Sequence, residues 1–242
     1  MGEDWYESKK RRLRELYWEQ NDGNPYLPNG FLVYPHEIYD FFLSFINHPG
    51  RVIDLGCGNG LLLRHLVKNS GYGLIPYGVD FIEESIEQAK REILPEFADN
   101  FTVANVRDYV REIPDGYFDF IFFDPYNVHP EDLPETVSHL IRVCRAGGRI
   151  IFYTYHDVLE SLNLEWVGDF LPEEVRGKLE RFNHPEVSVG VFEKRGKAKS
   201  LTPPSQSLSS PEPRATRRRS PWPLRRLLLQ LWFPSLCSRG SR

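Results

Sequence analysis

Short apolar segments alternate with segments of helical periodicity between residues 51 and 155, and this alternation constrains the fold more than any other feature of the sequence. Helices are predicted over residues 61–68 and 83–94 and around residues 137–144. Strands are predicted over residues 51–55, 77–80, 101–104, 118–123 and 149–155. Nearly continuous apolar strands separated by helices are typical of a parallel sheet with helices on both faces. We therefore predict a doubly wound α/β fold, in which residues 164–170 and 187–193 complete a mostly parallel sheet of seven strands.

The composition divides the chain into three segments. Residues 1–34 contain a predicted amphipathic helix at residues 5–20, followed by a turn-rich loop. Residues 35–195 form the predicted α/β domain, which opens with a helix at residues 36–46. Residues 196–242 are rich in Ser, Pro and Arg, a composition that buries too little apolar surface to offset chain entropy, so we predict disorder there.

The net charge of -4 is unevenly distributed along the chain. Residues 196–242 hold ten Lys or Arg and one acid, a charge of +9, so residues 1–195 carry -13. An acidic domain disfavours RNA or DNA as a partner, because phosphate binding depends on Lys and Arg. The alternative for the basic tail, which includes the apolar run Leu227–Phe233, is an element that binds a membrane surface or nucleic acid.

Three cysteines, Cys57, Cys144 and Cys237, are too few and too scattered for a disulfide framework or a CxxC metal site. We expect a reducing, cytoplasmic setting and no bound metal. The start of the sequence lacks the apolar core of a secretory signal, and no apolar run approaches the roughly 18 residues of a spanning helix. The sequence therefore predicts a soluble protein.

The segment Asp54–Gly60 (DLGCGNG) links the first predicted strand of the sheet to the helix that follows it. Glycines allow positive φ and close approach of a ligand, and the helix start offers backbone amides. A dinucleotide fingerprint needs a third glycine where Leu61 stands, and the Asp54 carboxylate would repel a pyrophosphate. The turn therefore predicts a ligand with positive charge and no phosphate, which disfavours an NAD-dependent oxidoreductase. A tight turn without a ligand is the alternative.

Four further motifs follow this turn in order: Gly78–Asp80 (GVD), Phe101–Val106 (FTVANV), Phe118–Pro125 (FDFIFFDP) and Arg145–Phe152 (RAGGRIIF). The series resembles the class I, Rossmann-like, S-adenosylmethionine-dependent methyltransferases over about residues 35–195. The resemblance implies S-adenosyl-L-methionine as the cofactor and methyl transfer as the activity.

The resemblance also implies a set of cofactor contacts. Asp54 would act on the ammonium of the cofactor, and Asp80 would accept hydrogen bonds from its ribose hydroxyls, although Asp80 could also cap the next helix. Phe81 would lie along the adenine, with the Asn105 side chain and the Val106 amide at its edge; Asn105 stands where the family often has Asp. The methionine portion would lie against the turn at Gly56, Cys57, Gly58 and Gly60.

The loop after the fourth strand, residues 124–129, is predicted to hold the methyl acceptor. Asp124-Pro125-Tyr126 is similar to the [DN]-P-P-[YF] signature of methyltransferases that act on nitrogen, without its second proline. This similarity implies that Asp124 and Tyr126 hold an amine on a planar group, including a base of RNA or DNA. Small-molecule methyltransferases often have a His near the position of His129, which would then act as a general base. A structural role for His129 in the loop is the alternative.

Two segments are candidate covers over the acceptor. Tyr26, Phe31 and Tyr34 in the N-terminal segment would exclude water from the site, or would pack on the edge of the sheet. Residues 171–183 are the second candidate cover. The basic run at residues 9–14 is typical of a solvated helix face. We expect the acceptor to be a small molecule or a protein side chain. A non-catalytic partner subunit that binds the cofactor is the alternative function, because it would carry the same glycines and acids.

Overall fold

A computed structural model describes residues 4–15, 35–155, 171–185 and 187–195. The strands of the described part are β1 (Gly50–Leu55), β2 (Leu74–Asp80), β3 (Phe101–Val103), β4 (Phe118–Phe123), β5 (Cys144–Tyr155), β6 (Glu180–His184) and β7 (Val187–Glu193). They form one sheet in the order β3-β2-β1-β4-β5-β7-β6. Neighbours from β3 to β5 are parallel, whereas β7 is antiparallel to both β5 and β6. The predicted doubly wound, mostly parallel sheet of seven strands is confirmed.

The helices of the described part connect these strands or precede them. They are α1 (Trp5–Arg14), α2 (Pro35–Leu43), α3 (Leu61–Asn69), α4 (Glu83–Gln88), α5 (Val106–Glu112), α6 (Leu133–Val143) and α7 (Glu173–Arg176). A wide helical turn at Ala89–Ile93 continues α4, and short 3-10 turns lie at Pro95–Asn100 and Pro125–Asn127. No helix in the described ranges is long and apolar enough to cross a membrane.

The buried side chains form two clusters, one on each face of the sheet. On one face, Phe42 of α2 and Leu63 of α3 pack with Phe122 of β4. On the other face, Val110 of α5 and Leu140 of α6 pack with Ile121 of β4. Adjacent residues of the same strand thus point to opposite clusters, as the alternation of side chains along a strand requires. Helices therefore cover both faces of the sheet, and the ends of the strands are left for binding.

The strand order reverses between β1 and β4, because the chain continues from β1 to β2 on one side and returns to β4 on the other. In open α/β sheets the crevice outside the carboxyl ends of the strands at such a reversal is the usual place for a ligand. The turn after β1 and the loop after β4 both lie at this crevice. The fold therefore brings the two segments singled out in the sequence to one location.

Residues 171–183 were predicted as a cover over the acceptor, and this prediction is wrong for their C-terminal part. Residues 180–184 form β6, which pairs with β7 at the edge of the sheet. Leu171 and Val175 are buried in the cluster of the α5 and α6 face. The predicted strand at residues 164–170 and the aromatic residues Tyr26, Phe31 and Tyr34 lie outside the described residues.

Candidate functional site

The turn after β1 has the backbone shape that its glycines predict. Gly56 and Gly58 have φ angles of 92° and 51°, a region that disfavours residues with a Cβ. The amides of Gly56 and Cys57 donate to the Val79 carbonyl at 2.8 and 3.0 Å, which anchors the turn to β2. A Cβ at Gly58 would meet nothing within 4 Å. The turn thus leaves open space beside Gly58, where a ligand can approach the backbone.

Asp80 ends β2 directly beside this turn. One of its carboxylate oxygens accepts the Gly58 amide at 2.9 Å, and the other accepts the Ile82 amide at 2.8 Å. Burial raises the pKa of Asp80, and the amides of Ile82 and Gly58 oppose that rise by stabilising the charged form. Each carboxylate oxygen has a second acceptor position, which suits a ligand with two adjacent hydroxyls.

Asp54 is buried at the end of β1, with 3% of its surface exposed. Burial, followed by the negative charges of Asp80 and Asp124, raises its pKa to about 7. The Tyr153 hydroxyl donates to Asp54 at 3.5 Å and opposes that rise weakly. In the described part of the chain, none of the groups that shift its pKa is a cation. Asp54, Asp80 and Asp124 thus face the Lys9 ammonium, which interacts with the last two, so the site holds excess negative charge that a cationic ligand would neutralise.

The loop after β4 is joined to the glycine turn through Asn127. Its side-chain amide donates to the Leu55 carbonyl at 3.0 Å, and a Cβ at Gly56 would collide with that amide. Asp124 accepts the Tyr126 amide at 2.9 Å, which closes the short turn at residues 125–127. Burial and the nearby Asp124 charge raise the pKa of Tyr126 to about 12, so its hydroxyl stays protonated at neutral pH.

His129 lies further along the same loop and contacts the N-terminal helix. Its ring is edge-on to Trp5 with centroids 5.2 Å apart, and its Nδ1 accepts the Glu131 amide at 3.2 Å. A neutral ring that accepts at Nδ1 carries its proton on Nε2. In this arrangement the other ring nitrogen is a donor, which is the opposite of what a general base needs.

The residues predicted to meet an adenine lie at the ends of β2 and β3. Phe81 directly follows Asp80 and is half-buried. The Asn105 side chain accepts the Arg107 amide at 2.9 Å and caps α5, so its oxygen already has one partner. Val106 is the first residue of α5, where a helix leaves backbone amides without an intrahelical acceptor. The Ala104 amide donates to the Asp80 carbonyl at 3.0 Å, so the ends of β2 and β3 lie side by side; contact of the three residues with an adenine stays a prediction.

Helix α1 crosses this edge of the sheet, and sequence reasoning missed its contribution. Tyr6 donates to Asp132 at 2.6 Å near the start of α6, and Arg14 forms an ion pair with Glu84 of α4 at 2.5 Å. Lys9 donates to the Tyr126 carbonyl. The prediction that the basic run is a solvated face is therefore wrong for Lys9. The signal that could have found it is the spacing of Trp5, Lys9 and Leu13, which places all three on one helix face.

A separate concavity of about 870 Å³ lies beside β5, β6 and β7 and contains none of the predicted site residues. Two of the cationic side chains that line it are already held by the protein. Arg149 donates to the Phe45 carbonyl at 3.0 Å, and Lys194 donates to the Cys144 carbonyl at 2.7 Å. We therefore place the candidate site at the glycine turn, where the carboxylates converge.

Residues 52–148 match the sequence profile of a family described as "Methyltransferase domain". Among curated proteins, the probable tocopherol O-methyltransferase of Oryza sativa subsp. japonica is 31% identical over 108 residues, which are 44% of this chain and 29% of that protein. The sterol 24-C-methyltransferase of Schizosaccharomyces pombe is 26% identical over 155 residues, 58% of this chain and 40% of that protein. This chain therefore matches less than half of the length of either relative.

Solved structures give the same fold. A protein of Pyrococcus horikoshii OT3 aligns with a TM-score of 0.54 and 17% identity, over 74% of this chain and 98% of that chain. A structure from Methanococcus maripaludis, described as a candidate S-adenosyl-L-methionine-dependent methyltransferase, aligns with a TM-score of 0.50 and 17% identity, over 81% of this chain and 98% of that chain. At these identities the similarity establishes the fold alone.

Proposed function

The chain carries a methyltransferase domain with the class I fold, and on that premise we propose that it transfers the methyl group of S-adenosyl-L-methionine to an acceptor. The acceptor in this proposal is a small molecule or a protein side chain. The observation that carries the proposal is the convergence of the Asp54, Asp80 and Asp124 charges beside a turn with open space at Gly58.

The charge of the site distinguishes this cofactor from other nucleotides. S-adenosyl-L-methionine carries a sulfonium and an ammonium and has no phosphate. Its cationic groups would relieve the repulsion that raises the pKa of Asp54, whereas a phosphate would add to it. The donors and acceptors present therefore suit this cofactor better than a dinucleotide.

We propose the cofactor contacts that the family resemblance implies, and the positions of the carboxylates support them. In this proposal Asp54 receives the ammonium, and the two Asp80 oxygens each accept a ribose hydroxyl besides the amide that they already bind. Phe81 lies along the adenine, while Asn105 and the Val106 amide meet its edge. The methionine portion lies against the turn formed by Gly56, Cys57, Gly58 and Gly60.

We assign the acceptor to the loop after β4. Methyl transfer is an in-line displacement at an activated carbon, so the loop has to position the acceptor and take its proton. Asp124 is the better proton acceptor, because Tyr126 stays protonated and His129 presents a donor at its second nitrogen. Tyr126 would orient the acceptor through its ring, and His129 would hold α1 over the site.

A cytoplasmic location is part of the same proposal. Cys57 and Cys144, the cysteines within the described residues, are both buried free thiols. Free thiols suit a reducing compartment, although buried ones are also protected from oxidation elsewhere.

Calorimetry on the full chain tests the cofactor half of the proposal. We expect binding of S-adenosylmethionine and of its demethylated product, and at least a tenfold weaker affinity in Asp80→Asn. Asp119→Asn is the matched control, because Asp119 is a buried aspartate that accepts the Arg51 amide at 2.9 Å at the other end of the sheet. Absence of binding to the intact wild-type chain would refute the proposal.

A screen with methyl-labelled cofactor tests the acceptor half. Small amines, phenols and carboxylates, a peptide library, and RNA and DNA oligonucleotides are offered in parallel. Sustained turnover on a small molecule or peptide supports the proposal, and turnover on nucleic acid alone would replace the acceptor class. Cofactor binding without turnover on any acceptor would favour the non-catalytic partner subunit.

A further inference from the structure

Polar and aromatic contacts hold helix α1 across the ends of the strands where the proposed cofactor binds. Tyr6 contacts the loop after β4 at one end, where its hydroxyl accepts the His129 amide at 3.1 Å and donates to Asp132. At the other end, Arg14 pairs with Glu84 at the start of α4. No residue of α1 is fully buried. The helix therefore spans from the acceptor loop to the neighbourhood of β2 and passes over the site between them.

Lys9 is the residue of α1 that points into the site. Its ammonium donates to the Tyr126 carbonyl, lies 4.9 Å from the centre of the Trp5 ring, and is attracted by the charges of Asp124 and Asp80. Burial lowers its pKa, and those two carboxylates oppose the change. The amine is thus surrounded by a carbonyl oxygen, an aromatic ring and carboxylates.

These surroundings are those that an amine acceptor of a methyl group requires. A carbonyl oxygen and a carboxylate orient the N–H bonds, so that the remaining position on nitrogen can face the donor carbon. An aromatic ring attracts the ammonium before and after methylation. The amine lies at the end of β4, which is where the proposed function places the acceptor, beside the turn that it assigns to the cofactor.

Resting on the proposed function, we propose that Lys9 is itself a methyl acceptor and that the site methylates its Nζ within the same chain. The position of the Lys9 amine is accordingly a binding position for primary amines. External acceptors would then be amines that bind at this position when α1 moves away.

The reaction balances without a further reagent. The Lys9 ammonium first loses a proton to the Asp124 carboxylate or to water. The lone pair on Nζ then forms a bond with the methyl carbon while the bond between carbon and sulfur breaks, and the electron pair stays on sulfur. The nitrogen becomes a methylammonium, and the sulfonium becomes a neutral thioether.

Peptide mass spectrometry on the full chain tests the assignment. The protein is analysed before and after incubation with isotopically methyl-labelled S-adenosylmethionine, and a protease specific for Glu releases residues 8–15 as one peptide. Fragmentation of this peptide separates Lys9 from Lys10. We expect one or more methyl groups on Lys9, none on the peptide of Lys9→Arg, and unchanged labelling in Lys10→Arg.

Lys10→Arg is the matched control, because the adjacent side chain points about 100° away around the helix. Binding of the demethylated cofactor, measured on the same samples, separates the two levels of the argument. Cofactor binding without methyl groups on Lys9 would overturn this inference and leave the cofactor site intact. A chain that binds no cofactor would overturn the proposed function itself. Labelling whose rate constant rises with protein concentration would overturn transfer within one chain.

Discussion

Asp54→Asn removes a buried negative charge, and we expect this variant to be more stable than the wild type at pH 8. The pKa of Asp54 is raised to about 7 from its usual 3.8, chiefly by burial and then by the charges of Asp80 and Asp124. The folded state therefore binds a proton more tightly than the unfolded state does. Stability falls as the pH rises from about 4 to about 7, and the loss is complete above that window.

The size of the effect follows from the pKa difference. At 1.36 kcal/mol for each pKa unit, ionised Asp54 costs the unliganded fold about 4 kcal/mol at pH 8 and about 1 kcal/mol at pH 4.5. The Asn side chain is nearly the same size and carries no charge, so Asp54→Asn recovers most of this free energy. The gain in stability should therefore be about four times as large at pH 8 as at pH 4.5.

Urea unfolding of the unliganded full chain at the two pH values measures the difference. Asp119→Asn is the control: Asp119 is also buried, but it pairs with Arg145 at 3.3 Å and accepts the Arg51 amide, so its loss should destabilise the fold at both pH values. An Asp54→Asn variant that is no more stable than the wild type at pH 8 would refute the reasoning. A gain of equal size at pH 4.5 and pH 8 would also contradict it, because the titration of Asp54 would then not be the cause.

Three further predictions concern the same edge of the sheet. Gly58→Ala should weaken cofactor binding at least tenfold in calorimetry but lower the free energy of unfolding by only about 1–2 kcal/mol. The new Cβ meets nothing within 4 Å, so the loss of stability comes from the positive φ alone. A larger loss of stability with full cofactor binding would contradict this. Cofactor affinity should rise with pH up to about 7, as Asp54 ionises, and should stay flat in Asp54→Asn across the same titration series. Tyr6→Phe loses the hydrogen bonds to Asp132 and His129, so proteases should cleave within residues 4–15 faster than in the wild type. The free energy of unfolding in urea should change by less than about 1 kcal/mol. Equal cleavage rates would show that these bonds do not hold α1.

The sequence predicted the central strands well because they are buried on both faces. β4 and β7 were predicted with the bounds that the structure has, since each is a nearly continuous apolar run. β6 was missed because it is an edge strand, in which Phe182 is the one apolar residue. The predicted helix at residues 83–94 ends early in a wide turn, because Ile86 and Ala89 suit a regular helix and a wider turn equally.

The site residues that could be predicted from the sequence adjoin the glycine turn, whose backbone shape a bound ligand would require. The sequence singles out Asp54 and Asp80 because they lie in the last two residues of strands that end beside a glycine turn, a relation that local sequence expresses. The place of Lys9 depends on how α1 crosses a sheet whose first strand begins only at Gly50, and no local pattern encodes such a contact. Asn127 lay within the predicted loop, but its bond to the Leu55 carbonyl depends on two strands that are adjacent only in space.

The Asn127 amide bond has a consequence for the order of events at the site. The Asn127 side chain connects the Leu55 carbonyl, just before the glycine turn, to the loop after β4 through one hydrogen bond of 3.0 Å. The two loops therefore behave as one mechanical unit rather than as two independent gates. A ligand that settles on the glycine turn also fixes the loop that receives its reaction partner, so the second ligand meets a surface already shaped. Kinetics in which one substrate must bind before the other would follow from this single side chain.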